Sequence, residues 1–398
     1  MKKILFIAPS SYPVVMAECI VNMKLLQALS NSGKFEIDLI SRDHPEKQYE
    51  VEPIESYNIK VNQIHVERID RRINIKTIWL NLLTFLTFGF TFRGAHWAMQ
   101  ILPICKKWVK ENKYDYIISK DYPSFLVASY LKKHYGLKWV ATWNDPYPFQ
   151  LFPEPYGKWP NVKLSYTSKK KIHYMRQADV HVFPSERLKN YMCKYIDLAG
   201  KYTTVIPHVI VKPSSLQFGS DELRLLISGN MRKPRNPRPL LEAISLFYKE
   251  TPLAKMSFTI LGSVDKDIPE FIKRLGISSH VKLLQPVSYT ESLEIAQKYQ
   301  VSIILEAPME EGIYLPTKVS DCMQDGNVIF AISPLKGTLH DFYKEGFIGY
   351  FANNIDVGNI KDELNKIYLD FINDNLLEKA VVNPSLLADN VVNEYLNL

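Results

Sequence analysis

Arg232, Lys233 and Arg235 stand within four positions, just after an apolar run over 223–228 and the glycine Gly229. Such a group suits a diphosphate. A glycine at the end of a buried strand lets an anion approach the backbone, and guanidinium groups meet phosphate oxygens with paired N–H donors. The bland alternative is a solvated basic loop. A second segment, Glu306 to Lys318, supplies a complement. Pro316 suits a first helical turn. The free N–H groups around Thr317 can hold a phosphate, with Lys318 beside them. Asp321 falls three residues on, near one face with Lys318. A carboxylate there can accept hydrogen bonds from ribose hydroxyls, or simply form a surface Asp–Lys pair.

Other residues invite weaker readings. His208 follows Pro207 and titrates in a useful range, though a lone histidine is more often structural. Trp143, Tyr147, Phe149, Phe152, Tyr156 and Trp159 alternate with prolines. They either line an acceptor groove or pack a long loop. Cys19, Cys105, Cys193 and Cys322 stand far apart with no CxxC pair. That spacing supports no metal site and fits a reducing cytoplasm.

These residues need elements to hold them. Strands are predicted over 3–8 and 35–40 with a helix over 17–31 between them, closed by Gly33. Alternation continues with strands at 114–119, 137–142, 179–183 and 203–206, and helices at 123–135 and 185–195. After a linker-like stretch at 210–220 it restarts. Strands fit 223–228, 256–261, 280–284, 301–305, 327–331 and 347–351; helices fit 237–250, 268–275, 288–299, 316–325, 336–344 and 358–373. Ser288 and Glu291 have capping-box spacing. Alternating strands and helices imply parallel, doubly wound sheets. At 398 residues the chain exceeds one ordinary core and suggests about two domains. The expected fold is α/β, with two Rossmann-like domains facing a cleft. Their expected bounds are 1–208 and 209–375, and a C-terminal helical segment at 376–398 is expected to pack back on the first.

With 46% hydrophobic and 23% charged residues the composition is that of a globular chain, so disorder is not expected. A net charge of +7 fits an anionic ligand or membrane surface, and no nucleic-acid motif is present. The apolar run at Ile4–Ala8 is too short for a secretory leader and reads as a strand. Residues 78–92 are apolar and aromatic, flanked by Arg71, Arg72, Lys76 and Arg93. They are too few to span a bilayer. They form either buried helices of the first domain or an interfacial surface on the inner face of the membrane.

The stretch 315–333, LPTKVSDCMQDGNVIFAIS, resembles the Pro-x-Lys-hydrophobic-x-Glu run of the retaining, family-four-like (group 1) glycosyltransferases of GT-B fold. Lys318 matches the lysine, Asp321 takes the glutamate's place, and Gly326 matches the glycine. Stretch 228–244 is similar to that family's basic loop, with Arg235 at the donor-phosphate position and Asn230 where many members have arginine. Asn144-Asp145-Pro146-Tyr147 is similar to an Arg-Asp-Pro-Trp element of one subgroup, and His208 ends a Pro-Asn/His segment. Ile313 falls where the family's first paired glutamate would stand, so Glu310 or Glu311 would replace it. The coarse resemblance covers nearly the whole chain.

The resemblance implies transfer of a sugar from a nucleoside-diphosphate sugar, UDP- or GDP-linked, to a glycan or lipid-linked acceptor, with retained anomeric configuration. No further cofactor and no metal are implied. Arg235 and Lys318, with the helix start at Pro316 and Thr317, would stabilise the leaving diphosphate. Gly229, Asn230, Arg232, Gly312 and Asp321 would complete the donor site, and Glu310 or Glu311 would contact sugar hydroxyls. Tyr12, Trp143, Asn144, Asp145 and His208 would face the acceptor. An inverting enzyme would need a base there, and Asp145 is the first candidate. The implied setting is cytoplasmic, peripheral on the inner membrane, in bacterial surface polysaccharide assembly. The rivals are a catalytically degenerate nucleotide-sugar-binding subunit and a GT-B nucleotide-sugar epimerase or hydrolase.

Overall fold

The computed structural model describes residues 1–12, 14, 16–42, 54–66, 74–120, 122–157, 164–214 and 221–398. Trp159, Arg71, Arg72, Pro13, Val15 and part of the 210–220 linker lie outside them. The chain divides into two compact units, one of residues 1–152, 157–211 and 387–398, the other of 153–156 and 212–386.

The first unit holds β1 (Lys2–Ile7), α1 (Ala17–Asn31), β2 (Phe35–Arg42), β3 (Asn62–Val66), α2 (Ile75–Phe88), α3 (His96–Glu111), β4 (Tyr116–Lys120), α4 (Ser124–Tyr135), β5 (Trp139–Thr142), α5 (Tyr166–Met175), β6 (Val180–Phe183), α6 (Glu186–Cys193) and β7 (Tyr202–Val205). Its seven parallel strands run in the order 3-2-1-4-5-6-7. Ile4 to Ile7 have no exposed surface. A strand covered on both faces reads as an unbroken apolar run, which is why β1 resembles a short leader in sequence.

The second unit holds β8 (Leu223–Ser228), α7 (Arg238–Glu250), β9 (Met256–Leu261), α8 (Ile268–Arg274), β10 (Val281–Leu284), α9 (Tyr289–Ala296), β11 (Val301–Leu305), α10 (Thr317–Asp325), β12 (Val328–Ser333), α11 (Thr338–Lys344), β13 (Tyr350–Asn353) and α12 (Val357–Ile372). Its six parallel strands run 10-9-8-11-12-13. One contiguous core joins Leu225, Ile227, Phe247, Phe258, Phe330 and Leu364 across sheet and helices. In both sheets the strand order reverses beside the unit's first strand, at β1/β4 and at β8/β11. Doubly wound sheets take ligands at the carboxyl ends of the strands there.

The first unit runs to Val211, beyond His208, because a backbone bridge ties Ile210 to Leu387. The 376–398 segment is not one helix. Short 3-10 turns at Leu376–Lys379 and Pro384–Leu386 stay with the second unit, and only α13 (Ala388–Asn397) packs on the first, against α1. Burial of Val391, Val392 and Tyr395 drives that return.

The 78–92 stretch is helical as far as Phe88, and it is not buried as a whole. Asn74 caps α2 by accepting from the Thr77 N–H at 2.8 Å, and Gly89, with φ at 77°, ends it. Thr84 and Phe88 face inward, while Ile75, Ile78, Trp79, Leu82, Phe85 and Leu86 are exposed. Helix α3 buries Trp97, Ile101 and Cys105 instead. Among the described residues no helix is long and apolar enough to cross a membrane.

Candidate functional site: the carboxyl edges of the two sheets

Strands β8 and β11 are neighbours, with Ile227 opposite Ile303. The basic loop after β8 and the Glu306–Pro316 loop after β11 therefore leave the second sheet side by side. Gly229 adopts φ of 119° and Gly262 φ of 136°. A Cβ on Gly262 would lie 2.2 Å from the Gly229 carbonyl oxygen, so the β8 and β9 loops pass each other at backbone distance. Met231 N–H to Ser263 O, at 2.8 Å, extends the same zipper.

The cations of the basic loop are not equivalent. Arg232 donates from Nε to the Val264 carbonyl at 3.3 Å, and Asn230 turns its amide oxygen to the Arg232 N–H at 3.2 Å. Asn230 thus serves the loop itself, and Arg232 ties it to the loop after β9. Arg238 pairs with Asp267. Among the described residues the Arg235 side chain makes one long bond, from Nη1 to the Asn230 carbonyl at 3.3 Å, and its Nε is buried with no acceptor. A guanidinium edge held in that state is ready for an anion. Beside the loop, Pro155, Lys233, Pro234, Asn236, Arg238 and Pro308 line a hollow of about 570 Å³, within the size range of ligand sites.

The second loop ends at α10. Pro316 stands at its N-cap with no capping side chain, so the first-turn N–H groups of Thr317 and Lys318 point outward, as an anion site requires. Asp321, a candidate ribose ligand or surface partner of Lys318, lies inside the unit and not on its surface. It is 3% exposed, accepts from the Tyr289 hydroxyl at 2.8 Å, and lies 3.6 Å from Lys318 Nζ. It lies on the buried face of α10 with Val319, Cys322 and Met323. Glu311 pairs with Lys336 at 3.0 Å. Glu310 is exposed, which leaves it the better placed of the two for sugar hydroxyls.

Glu306, at the end of β11, is the residue sequence reasoning passed over. It is buried, accepts from Ser333 Oγ at 2.6 Å, and lies within the field of Arg235. Gly312 and Gly337 cross above it, bridged backbone to backbone. A Cβ on Gly312 would come 3.0 Å from Glu306 Oε2. Burial pushes the carboxyl up to about 7, while Ser333 and then Arg235 pull it down. The sign follows: between 4.5 and about 7 the folded state holds a proton the unfolded chain has lost, so stability falls as pH rises. Glu306→Gln is expected to remove that fall, gaining on the wild type by on the order of 3 kcal/mol between pH 4.5 and 7. Urea unfolding of both proteins across that range checks it, and parallel pH profiles would refute it.

In the first unit, Asn144 donates to Glu18 in the first turn of α1. This joins the loop after β5 to the start of α1; Tyr12, in the loop before that helix, is half-buried. Asp145, next along, is exposed. Desolvation and then the charge of Glu18 push its carboxyl up toward about 7, and its exposure to water works against that rise. Trp143, Asn144 and His208 come together, with Lys120 and Tyr395, around a cavity of about 20 Å³. That volume suits a water molecule, not a sugar ring. Trp143 stacks on Phe183 and donates to His181 Nδ1 at 3.2 Å. Its ring is core, not groove. Tyr156 belongs to the other unit, where it lies edge-on to Tyr314. Lys120 and Glu18 were also missed. A lysine closing the apolar run YIIS was the available signal for the first.

Residues 21–211 match the sequence model of Glycosyltransferase Family 4. In fold the chain is similar to HepE of Anabaena in complex with UDP-glucose, at TM-score 0.64 and 13% identity, covering 100% of this chain and 99% of that one. It is similar to the lipopolysaccharide outer core galactosyltransferase WaaB, at TM-score 0.59 and 15% identity over 99% and 98% of the two chains. It is also similar to a putative UDP-N-acetylglucosamine 2-epimerase from Listeria monocytogenes, at 0.61 and 12% over 100% and 95%. No curated protein matches its sequence. At these identities the structural likeness speaks to fold, while the family match covers most of the first unit. The family match thus falls on residues 21–211, and the fold of the whole chain is that of the GT-B glycosyltransferases.

Proposed function

We propose that the chain transfers a sugar, with retention, from a nucleoside-diphosphate sugar to a glycan or lipid-linked acceptor in bacterial surface polysaccharide assembly. The observation that carries this reading is the pair of anion donors on adjacent strands: the orphaned Arg235 edge after β8 and the uncapped start of α10 with Lys318 after β11. They suit a leaving diphosphate, and fixed donors aimed at such developing charge usually supply most of the acceleration. A uridine base is the first choice, since the solved structures of HepE hold UDP and UDP-glucose. Glu310 meets the sugar, and Asp145 with Tyr12 faces the acceptor. The exposed apolar stripe of α2 supports peripheral contact with the inner membrane from the cytoplasmic side.

Melting temperature measured against UDP, GDP, CDP, dTDP and NAD tests the donor assignment. One nucleoside diphosphate at about 100 times its dissociation constant is expected to add roughly 2.7 kcal/mol. If none shifts the wild type, the donor site is wrong. The occupied state of Asp321 favours a second reading, a binding subunit without turnover. Nucleotide stabilisation with no release of diphosphate from any donor would select it. The anomeric configuration of the product, read by proton NMR, decides retention against inversion through Asp145.

A further inference from the structure

Lys233 is the cation of the basic loop that the donor reading leaves unused. Arg232 is spent on the Val264 carbonyl, and Arg235 keeps the free edge that a diphosphate needs. Lys233 is exposed, and among the described residues it forms no hydrogen bond and no ion pair. It lines the hollow of about 570 Å³ with Pro155, Pro234, Asn236, Arg238 and Pro308. Hollows of that size hold small ligands.

The lining is one-sided in its hydrogen bonding. Arg238 donates to Asn236 Oδ1 twice, from its backbone N–H at 3.2 Å and from Nη1 at 3.1 Å. Both lone pairs of that oxygen are taken, and the amide NH2 of Asn236 is left with no acceptor among the described residues. Arg238 is itself held by Asp267 and lies over the Phe271 ring at 5.8 Å, which fixes it as a wall. Lysine and arginine accept nothing, and proline side chains carry no polar atom. The side chains of the hollow therefore offer donors and no free acceptor. Sugar hydroxyls and nucleobases ask for both kinds of partner; a carboxylate asks for donors alone. Charge points the same way. Asp267 pairs with Arg238 and feels Lys233 as well, and one carboxylate against two cations leaves the hollow positive.

The hollow lies beside the proposed diphosphate. Pro234 and Asn236 flank Arg235 in the chain, and Pro308 belongs to the loop that runs to α10. Both loops that carry the anion donors therefore bound it, and consecutive residues stand only about 3.8 Å apart. What hangs from a diphosphate at Arg235 is the donor sugar. Its hydroxyls need acceptors, which the exposed Glu310 supplies. A carboxylate on the same ring needs donors, which the hollow supplies.

We propose that Lys233 and Asn236, in the hollow walled by Arg238 and three prolines, take the carboxylate of an acidic donor sugar, so that the donor is a nucleoside-diphosphate uronic acid. This rests on placing the diphosphate between Arg235 and α10, and it narrows the donor from any sugar to one that carries a carboxylate.

Titration calorimetry with UDP, UDP-glucose and UDP-glucuronate, and with the corresponding galactose pair, tests it; GDP-mannose and GDP-mannuronate serve if guanine is the base. Each pair differs at one carbon, a hydroxymethyl group against a carboxylate. The wild type is expected to bind the acidic member about tenfold more tightly. Lys233→Met is expected to remove that preference, and Asn236→Asp, which sets a like charge in the hollow, to abolish it as well. Lys266→Met deletes the same charge from an exposed site in the loop after β9 and is expected to keep it. Equal losses from the two lysine variants would mean a general positive field and overturn the proposal. So would loss of bare UDP binding in Lys233→Met, which would put this lysine on the diphosphate. Ligand-free melting checks that each variant folds. Nucleotide binding without an acidic preference sinks the carboxylate site alone; no binding of any nucleotide sinks the donor reading and this one with it.

Discussion

Arg235→Ala is expected to slow sugar transfer by about 10²- to 10³-fold, the loss typical of removing one preorganised donor to a developing negative charge. Lys318→Ala is expected to match it. Release of nucleoside diphosphate from whichever donor stabilises the protein gives the rate. The two variants differ in what else they disturb. Arg235 has a free edge, so its removal should leave ligand-free melting nearly unchanged. Lys318 lies 3.6 Å from the buried Asp321, and losing it leaves that carboxylate with less compensation. Ligand-free melting therefore comes first, and a rate defect in Arg235→Ala at wild-type melting is the informative result. Arg235→Lys should recover only part of the rate, since an ammonium supplies charge without the planar fork. A full rate in Arg235→Ala would remove this residue from the reaction.

Gly262→Ala should be the more damaging change to structure. Its backbone sits at φ of 136°, and its new Cβ would meet the Gly229 carbonyl oxygen at 2.2 Å. Neither group can yield, because both belong to backbone held by the sheet. Strain of about 1–3 kcal/mol and a main-chain clash add. Gly229→Ala provides the control: its φ is 119°, but the space around the added atom is open. It should cost the strain alone. Comparing the melting of the two variants separates conformation from contact. Equal losses would mean that the close approach of the two loops carries no weight.

Much of the architecture was legible because it rests on burial. The strands from Leu223, Met256 and Val301 appear in the chain as apolar runs with the bounds the structure gives them. What escaped were elements whose local pattern is weak. Strand β3, NQIHV, is a short edge strand with a polar start. Helix α5, YTSKKKIHYM, buries only Ser168 and Met175 and shows little periodicity. Missing α5 hid Lys171, whose ammonium lies over the rings of Phe92, Tyr122 and Tyr147, from separate loops that no reading along the chain brings together. Glu306 failed for a related reason. A carboxylate after a strand looks like a solvated loop residue, and only the crossing of Gly312 and Gly337 shows it sealed in. Trp143 misled in the opposite sense, since an aromatic beside Asn-Asp-Pro resembles a sugar platform until its stacking on Phe183 is seen.

The return of α13 to the first unit sets an order of assembly during synthesis. Tyr395 accepts the Tyr116 hydroxyl at its carbonyl, 2.7 Å away, and Lys2 reaches the Leu396 carbonyl at 2.5 Å. The first sheet thus waits for partners that leave the ribosome only after the whole second unit has been made. Domains usually fold in the order they emerge. Here the part begun first is finished last, and until then the surface meant for Val391 and Val392 stays open to water.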